Sequence, residues 1–233
     1  MPTPHTAKKV EQYFNVIAPQ YDDLKAKNAY YFSEVLRLIR NEVPARSSIL
    51  EVGCGTGNLI SALQPSTGVG LDISPRMIAI AKHKNMNKTI SFITSTPERY
   101  STDQSFAYIV SADVIEHVPD LEPFFSALNR LAQKDTRIII TYANPLWEPI
   151  LLLLEKLKLK MPEGPHYRPA FRELQRIIKK NGLKLARRKF QTILPLRIPF
   201  LAPLLNWIWG YLPLLRRLCL LEMLLLKKDE HGK

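Results

Sequence analysis

The residues best suited to chemistry follow an apolar run from Phe106 to Ala112: Asp113, Glu116 and His117 stand close together in the order acid-x-x-acid-His. A free imidazole has a pKa of about 6.5, so His117 could remove a proton near neutrality; it could equally be a packed or capping residue of the following turn. His166, in Glu163-Gly-Pro-His-Tyr-Arg168, is a second candidate base, and its proline-containing surroundings also suit an ordinary loop histidine. Two further acids bracket a glycine-rich turn. Glu51 precedes Gly53, Gly55 and Gly57, and Asp72 ends the next apolar run.

These acids need elements to hold them. Ile49, Leu50 and Val52 read as a buried parallel strand, the glycines as a tight turn that lets backbone approach a ligand, and Val69-Gly-Leu-Asp72 as a second strand ending in a carboxylate. Asp72 is thereby placed to accept hydrogen bonds from ribose hydroxyls. A dinucleotide site requires G-x-G-x-x-G, but here the third glycine comes one residue early and Asn58 takes the dinucleotide position. Glu51 would also repel a pyrophosphate. It suits an ammonium or sulfonium group, and S-adenosylmethionine carries both.

With Glu51-Val-Gly-Cys-Gly-Thr-Gly57 and Asp72, the chain resembles the class I S-adenosylmethionine-dependent methyltransferases. Val114-Ile-Glu-His-Val-Pro-Asp120 is most similar to the branch containing the ubiquinone-pathway O-methyltransferases. The resemblance implies an α/β, Rossmann-like sheet of seven strands, mostly parallel with an antiparallel seventh, helices on both faces, and apolar insertions after strand 5 and between strands 6 and 7. Strands are expected at Ile90–Ser95, Phe106–Asp113 and Thr136–Pro145, with the sixth near Leu183–Phe190 and the seventh near Leu218–Leu226. Residues 1–233 then form a single domain: covering helices in 1–45, a cofactor-binding core in 46–145, and membrane-facing insertions in 146–170 and 191–217.

The resemblance also distributes roles. Glu51, Gly53, Cys54, Gly55 and Gly57 would hold the methionine part, Asp72 the ribose, and Ile73 and Met77 the surroundings of the adenine. Thr96 and Ser111 are further expected cofactor contacts, and Tyr21 belongs to the covering loop begun at Tyr13. Ser95 and Thr96 stand where the family often carries an adenine-binding carboxylate. In the ubiquinone-pathway branch the positions of Asp113, Glu116 and His117 are associated with a divalent metal, and two carboxylates with an imidazole could hold Mg²⁺. Many relatives with a similar Glu-His pair need none, so catalysis without a metal is the expectation here.

Charge is unevenly spread. Residues 1–154 contain 15 Lys or Arg against 15 Asp or Glu, while residues 155–233 contain 18 against 6, so the whole +12 lies in the last third. Leu146–Lys160 is an apolar run passing into Leu/Lys alternation, and Ile198–Leu215 has no charge between Arg197 and Arg216. Leucines with Trp147, Trp207, Trp209 and Tyr211 beside basic flanks fit an anionic membrane surface rather than nucleic acid. Pro199, Pro203 and Pro213 weigh against a bilayer span and favour an interfacial or re-entrant segment, with a span and a buried lid or oligomer interface as the alternatives. Arg168, Arg172 and Arg176 recur at helical spacing on an expected helix, Pro169–Asn181, as a head-group site or a solvated basic face. Cys54 and Cys219 match no zinc spacing, and Met1–Phe14 has no signal-peptide core, so a cytoplasmic, peripherally membrane-associated protein is expected.

Three functions remain compatible with the sequence. One is methylation, favouring oxygen, of a lipophilic membrane-resident acceptor such as a quinone precursor, isoprenoid or lipid head group. The others are a methyltransferase for a soluble small molecule, with the apolar segments as lid or dimer interface, and a non-catalytic cofactor-binding membrane adaptor.

Overall fold

The computed structural model describes residues 5–85, 88–191 and 218–229. Ile198–Leu215, expected to be an interfacial segment, lies outside the described residues. Three helices open the chain, α1 (Ala7–Ile17), α2 (Tyr21–Ala26) and α3 (Ala29–Arg40). Strands and helices then alternate except between β3 and β4, which a loop joins: β1 (Ser48–Val52), α4 (Asn58–Ala62), β2 (Thr67–Asp72), α5 (Pro75–Lys84), β3 (Ile90–Thr94), β4 (Tyr108–Ala112), α6 (Leu121–Leu131) and β5 (Arg137–Ala143). After these come α7 (Glu148–Lys156), α8 (Phe171–Lys180), β6 (Leu183–Gln191) and β7 (Leu221–Lys228).

The strands form one sheet in the order β3-β2-β1-β4-β5-β7-β6. Pairings among β1 to β5 are parallel, whereas β7 runs antiparallel to both β5 and β6. The fold class expected from the sequence is therefore the one present. Alternating strands and helices produce it because each crossover helix must bury its apolar stripe on a sheet face. One face packs Phe124, Phe125, Leu128 and Leu174 against β4 and β5; the other packs Val35, Leu38, Ile39 and Ile60 against β1.

Element ends differ from expectation by a few residues, for identifiable reasons. The helix expected at Pro169–Asn181 spans Phe171–Lys180, since the residue before a proline is pushed out of the helical region and Arg168 is thereby detached. Strand β5 ends at Ala143, where Asn144 turns the chain by accepting from the Leu146 amide. Strand β7 starts at Leu221 instead of Leu218 because the carbonyls of Leu218 and Cys219 are taken by the side chains of Trp147 and Asn144.

Parallel order brings the carboxyl ends of β1, β2, β4 and β5 to one edge, where open α/β sheets bind ligands. Helices α1 and α2 lie over that edge, and α7 flanks it.

Candidate active site

The glycine turn is fixed by its own backbone and by two carboxylates. Gly53 and Cys54 donate to the Leu71 carbonyl at 2.7 and 2.9 Å, which bonds the turn to β2. Gly53, Gly55 and Gly57 have φ of +77°, +52° and +78°, a region other L residues enter only at a cost. Asp72 accepts from the Gly55 amide through Oδ2 and from the Ser74 amide through Oδ1, both at 2.8 Å. Glu51 Oε2 accepts from the Ile60 amide in the first turn of α4 at 3.0 Å. Burial pushes Glu51 up to about 8, against the opposing influence of Lys25 and the Ile60 amide. Asp72 is likewise raised by burial, to about 6, with the Ser74 and Gly55 amides opposing. Both acids are held in an environment that favours a cationic partner.

Helix α2 closes over this turn. Asp22 accepts from Thr56 Oγ1 and Asn58 Nδ2 at 2.7 Å each and pairs with Lys84. Tyr21 then lies directly above Gly55, and Lys25 sits 5.1 Å from the Tyr21 ring centre and 4.2 Å from that of Phe32.

Two cavities meet beneath the cover. The larger, about 1100 Å³, is lined by Glu51, Gly53, Cys54, Gly55 and Asp72, and farther along by Ile73, Met77 and Thr96. Gly57 and Ser111, expected cofactor contacts, are not among its lining residues. Gly57 caps the start of α4, where a Cβ would stand 2.7 Å from Phe92, and Ser111 is fully buried within the sheet. The smaller cavity, about 130 Å³, lies toward α7 and is walled by Leu151, Leu154, Leu159, Met161 and Leu220. Phe14, Tyr21, Lys25, Phe32, Asp113 and His117 line both, forming the junction.

His117 ends a short 3-10 turn, Ile115–His117, and its ring stands edge-on to Phe14 with centroids 5.1 Å apart. Its Nδ1 is 2.9 Å from the Pro165 carbonyl, which can only accept, so Nδ1 carries the proton and Nε2 the lone pair. Burial lowers its pKa to about 4, which keeps the ring neutral at physiological pH. Asp113, with φ of +55°, accepts from Thr141 at 3.0 Å; Glu116 accepts from the Ala143 amide at 2.8 Å, and its Oε2 is buried without a partner. Burial and the nearby Asp113 raise Glu116 to about 8. The three residues considered as metal ligands thus turn toward separate protein partners, and among the described residues no group of three or more His, Cys, Asp or Glu is arranged to hold a metal.

His166, the second candidate base, is placed away from the junction. Its Nδ1 faces the Gly164 carbonyl at 2.8 Å and its Nε2 the Glu148 carboxylate at 3.0 Å, and it lines neither cavity. Arg168 is neither a head-group site nor a solvated face with Arg172 and Arg176. Its side chain is buried between Glu148 and Glu163 and closes one end of the smaller cavity. The sequence reading missed Lys25, although its i,i+4 spacing from Tyr21 would place the two on one face of a short helix.

The chain matches the model of a methyltransferase domain over residues 24–187. It is 30% identical over 148 residues to a ubiquinone biosynthesis O-methyltransferase from Pelagibacter ubique, covering 59% of this chain and 61% of that protein. A Bartonella tribocorum protein of the same name is 29% identical over 146 residues, covering 58% and 59%. The chain thus spans about 60% of the length of these relatives. Among solved structures, a Haloferax volcanii methyltransferase in complex with the Trm112 activator superposes with TM-score 0.69 at 16% identity, covering 94% of this chain and 98% of that one. The magnesium protoporphyrin IX methyltransferase of Synechocystis with bound SAH gives 0.62 at 18% identity, covering 95% and 99%.

Proposed function

The chain belongs to the S-adenosylmethionine-dependent methyltransferase domain family, and on that premise we propose that it methylates an oxygen of a lipophilic acceptor drawn from a membrane surface. The observation that carries this reading is the junction: a large cavity bearing buried acids opens onto a small, leucine-walled one directly beneath α7. The donor set fits the cofactor, because buried Glu51 can ionise against a cation and the buried Asp72 carboxylate can accept from hydroxyls. When bound, the cofactor supplies a methyl group activated on a sulfonium.

The protein's own residues do the rest. Tyr21 and Phe14 cover the junction and exclude water, which leaves alignment as a large part of the catalysis. Nε2 of His117 can take a proton from an acceptor oxygen, and Glu116, protonated near neutrality, can donate to that acceptor through Oε2. The curated relatives' names support oxygen as the methylated atom and a quinone precursor as the acceptor class.

Helix α7 supports the membrane. Leu153 of this helix, with Leu146 before it and Leu157 just after it, is more than half exposed, and Leu151 of the helix turns inward to the smaller cavity. Exposed leucines beside Lys156 and Lys158 suit a lipid interface. Among the described residues no helix is long and apolar enough to cross a membrane. The test is co-sedimentation with vesicles of mixed neutral and anionic lipid. Leu153→Glu with Leu157→Glu should abolish association and leave cofactor binding intact; unchanged association would remove the membrane from the proposal and leave a soluble acceptor.

A further inference from the structure

Between α7 and α8 the chain forms a strap, residues 161–167, that runs along the smaller cavity and passes beside His117. Its ends are fastened: Asn28 Oδ1 accepts from the Met161 amide at 3.1 Å, and the Glu116 carbonyl accepts from the Tyr167 amide at 2.7 Å. Its middle rests on α1. Tyr13 donates its hydroxyl to the Pro162 carbonyl at 2.7 Å, and Gly164, at φ +75°, lies so close that a Cβ there would stand 2.5 Å from Cδ1 of the Tyr13 ring. One residue farther on, the Pro165 carbonyl accepts from Nδ1 of His117 at 2.9 Å.

Helix α1 thus reaches the imidazole by two routes. Phe14 packs edge-on against the ring, and Tyr13, the residue before it, supports the strap whose carbonyl selects the tautomer. The strap's bonds to Glu148 and Glu155 run to α7 instead. Burial, with Glu155 and Glu163 nearby, pushes Tyr13 up to about 12, so its hydroxyl stays a donor at neutral pH. Tyr13 lines neither cavity, and its route to the chemistry is through the strap.

A neutral imidazole carries one N–H, and the partner of one nitrogen decides which of the two holds it. With Pro165 accepting at Nδ1, the lone pair is at Nε2. A strap lifted from α1 would remove that choice, and an Nε2–H ring has no lone pair on that nitrogen to take a proton.

Resting on the reading of His117 as the base, we propose that Tyr13 is a positioning residue: by holding the strap at Pro162 and Gly164 it aims the Pro165 carbonyl at Nδ1 and keeps Nε2 ready for the acceptor's proton. The base is then assembled only while α1 is seated. Since α1 also lines the larger cavity through Val10, Glu11 and Phe14, covering the cofactor and arming the base become one event.

The test reads the tautomer directly. The full chain, labelled with nitrogen-15 histidine and saturated with S-adenosylhomocysteine, is studied by long-range proton–nitrogen correlation at neutral pH, with His117→Gln identifying the His117 signals. Wild type should show Nδ1 protonated and Nε2 bare. Tyr13→Phe deletes only the hydroxyl, and Gly164→Ala drives the strap off the ring; each should shift the tautomer ratio toward Nε2–H by about 2–10-fold, the range one hydrogen bond commands. Methyl transfer from deuterated-methyl S-adenosylmethionine to a total lipid extract should fall by up to about 10²-fold in the same variants, with S-adenosylhomocysteine affinity preserved in calorimetry. Unmoved nitrogen signals in both variants would overturn the proposal. A shift accompanied by lost S-adenosylhomocysteine binding would also overturn it, because the whole cover and not the strap would have given way. Methyl transfer unchanged in His117→Gln would instead remove the reading of His117 as the base, which separates the two.

Discussion

A side chain on Gly55 would place its Cβ 3.2 Å from Cε1 of Tyr21, so the covering helix α2 rests directly on the glycine turn. Two costs follow for Gly55→Ala, a non-glycine residue at φ +52° and a displaced Tyr21. The first is about 1–2 kcal/mol, or a fall in melting temperature of roughly 2–8 °C for a chain of this size. The second should weaken cofactor binding by more than the loss of stability implies. Calorimetric titration with S-adenosylhomocysteine and a thermal melt, run on the same preparation, check both.

Glu51 sets a pH dependence on cofactor binding. Its folded pKa, raised to about 8, lies above the ordinary carboxylate value, so its favourable contribution to folding is present below about 4.5 and is lost as pH rises toward 8. A cationic ligand favours the ionised form. Binding should therefore release a proton and tighten as pH rises from 6 toward 8. Titrations in two buffers of different ionisation enthalpy should reveal that release in wild type and not in Glu51→Gln, which should also bind the cofactor at least tenfold more weakly.

His117 acts in the opposite direction. Its folded pKa of about 4 lies below that of a free imidazole, so its contribution to stability is full above about pH 6.5 and is lost as pH falls toward 4. Denaturant midpoints at pH 7 and pH 4.5 should fall farther in wild type than in His117→Gln; the difference between the two proteins isolates this residue from the acids that titrate nearby. On the proposed role of His117 as base, its replacement should lower turnover by about 10²–10⁴-fold, with a smaller change in cofactor affinity.

Arg168 is the keystone of the loop that walls the smaller cavity. Glu148, Glu163 and Arg168 are buried to different degrees, the arginine side chain being 4% exposed. Arg168→Met would remove the cation between Glu148 and Glu163, leaving Lys160 paired to Glu163 alone, and should cost about 3 kcal/mol. Adding Glu148→Gln to that variant should recover part of the loss, which urea denaturation of the single and double variants would measure.

Much of this architecture was legible because the sequence leaves little choice. A glycine turn between Val52 and Asn58, an acid at Asp72 and apolar strands at fixed intervals admit few topologies, and the observed strands lie within a few residues of their expected places. What was not legible depends on contacts distant in the chain. Lys25 reaches the junction only because Asp22 finds Thr56, and the spacing of Arg168 with Arg172 and Arg176 suggested one helix face until Pro169 separated them. Ser111 was expected at the cofactor, but its strand buries it in the sheet, while the next two residues, Ala112 and Asp113, reach the cavity.

Asp72 divides its two oxygens between the amides of Gly55 and Ser74, and this shapes how the site is entered as well as what it holds. The loops that follow β1 and β2 are stapled to each other through one carboxylate, which braces the floor of the larger cavity. The roof, α1 and α2, is held to that floor by fewer bonds, chiefly those of Asp22 to Thr56 and Asn58. Association should then be a two-step process, with rapid settling onto a braced floor followed by slower closure of Tyr21 and Phe14, and the slow phase should belong to the roof.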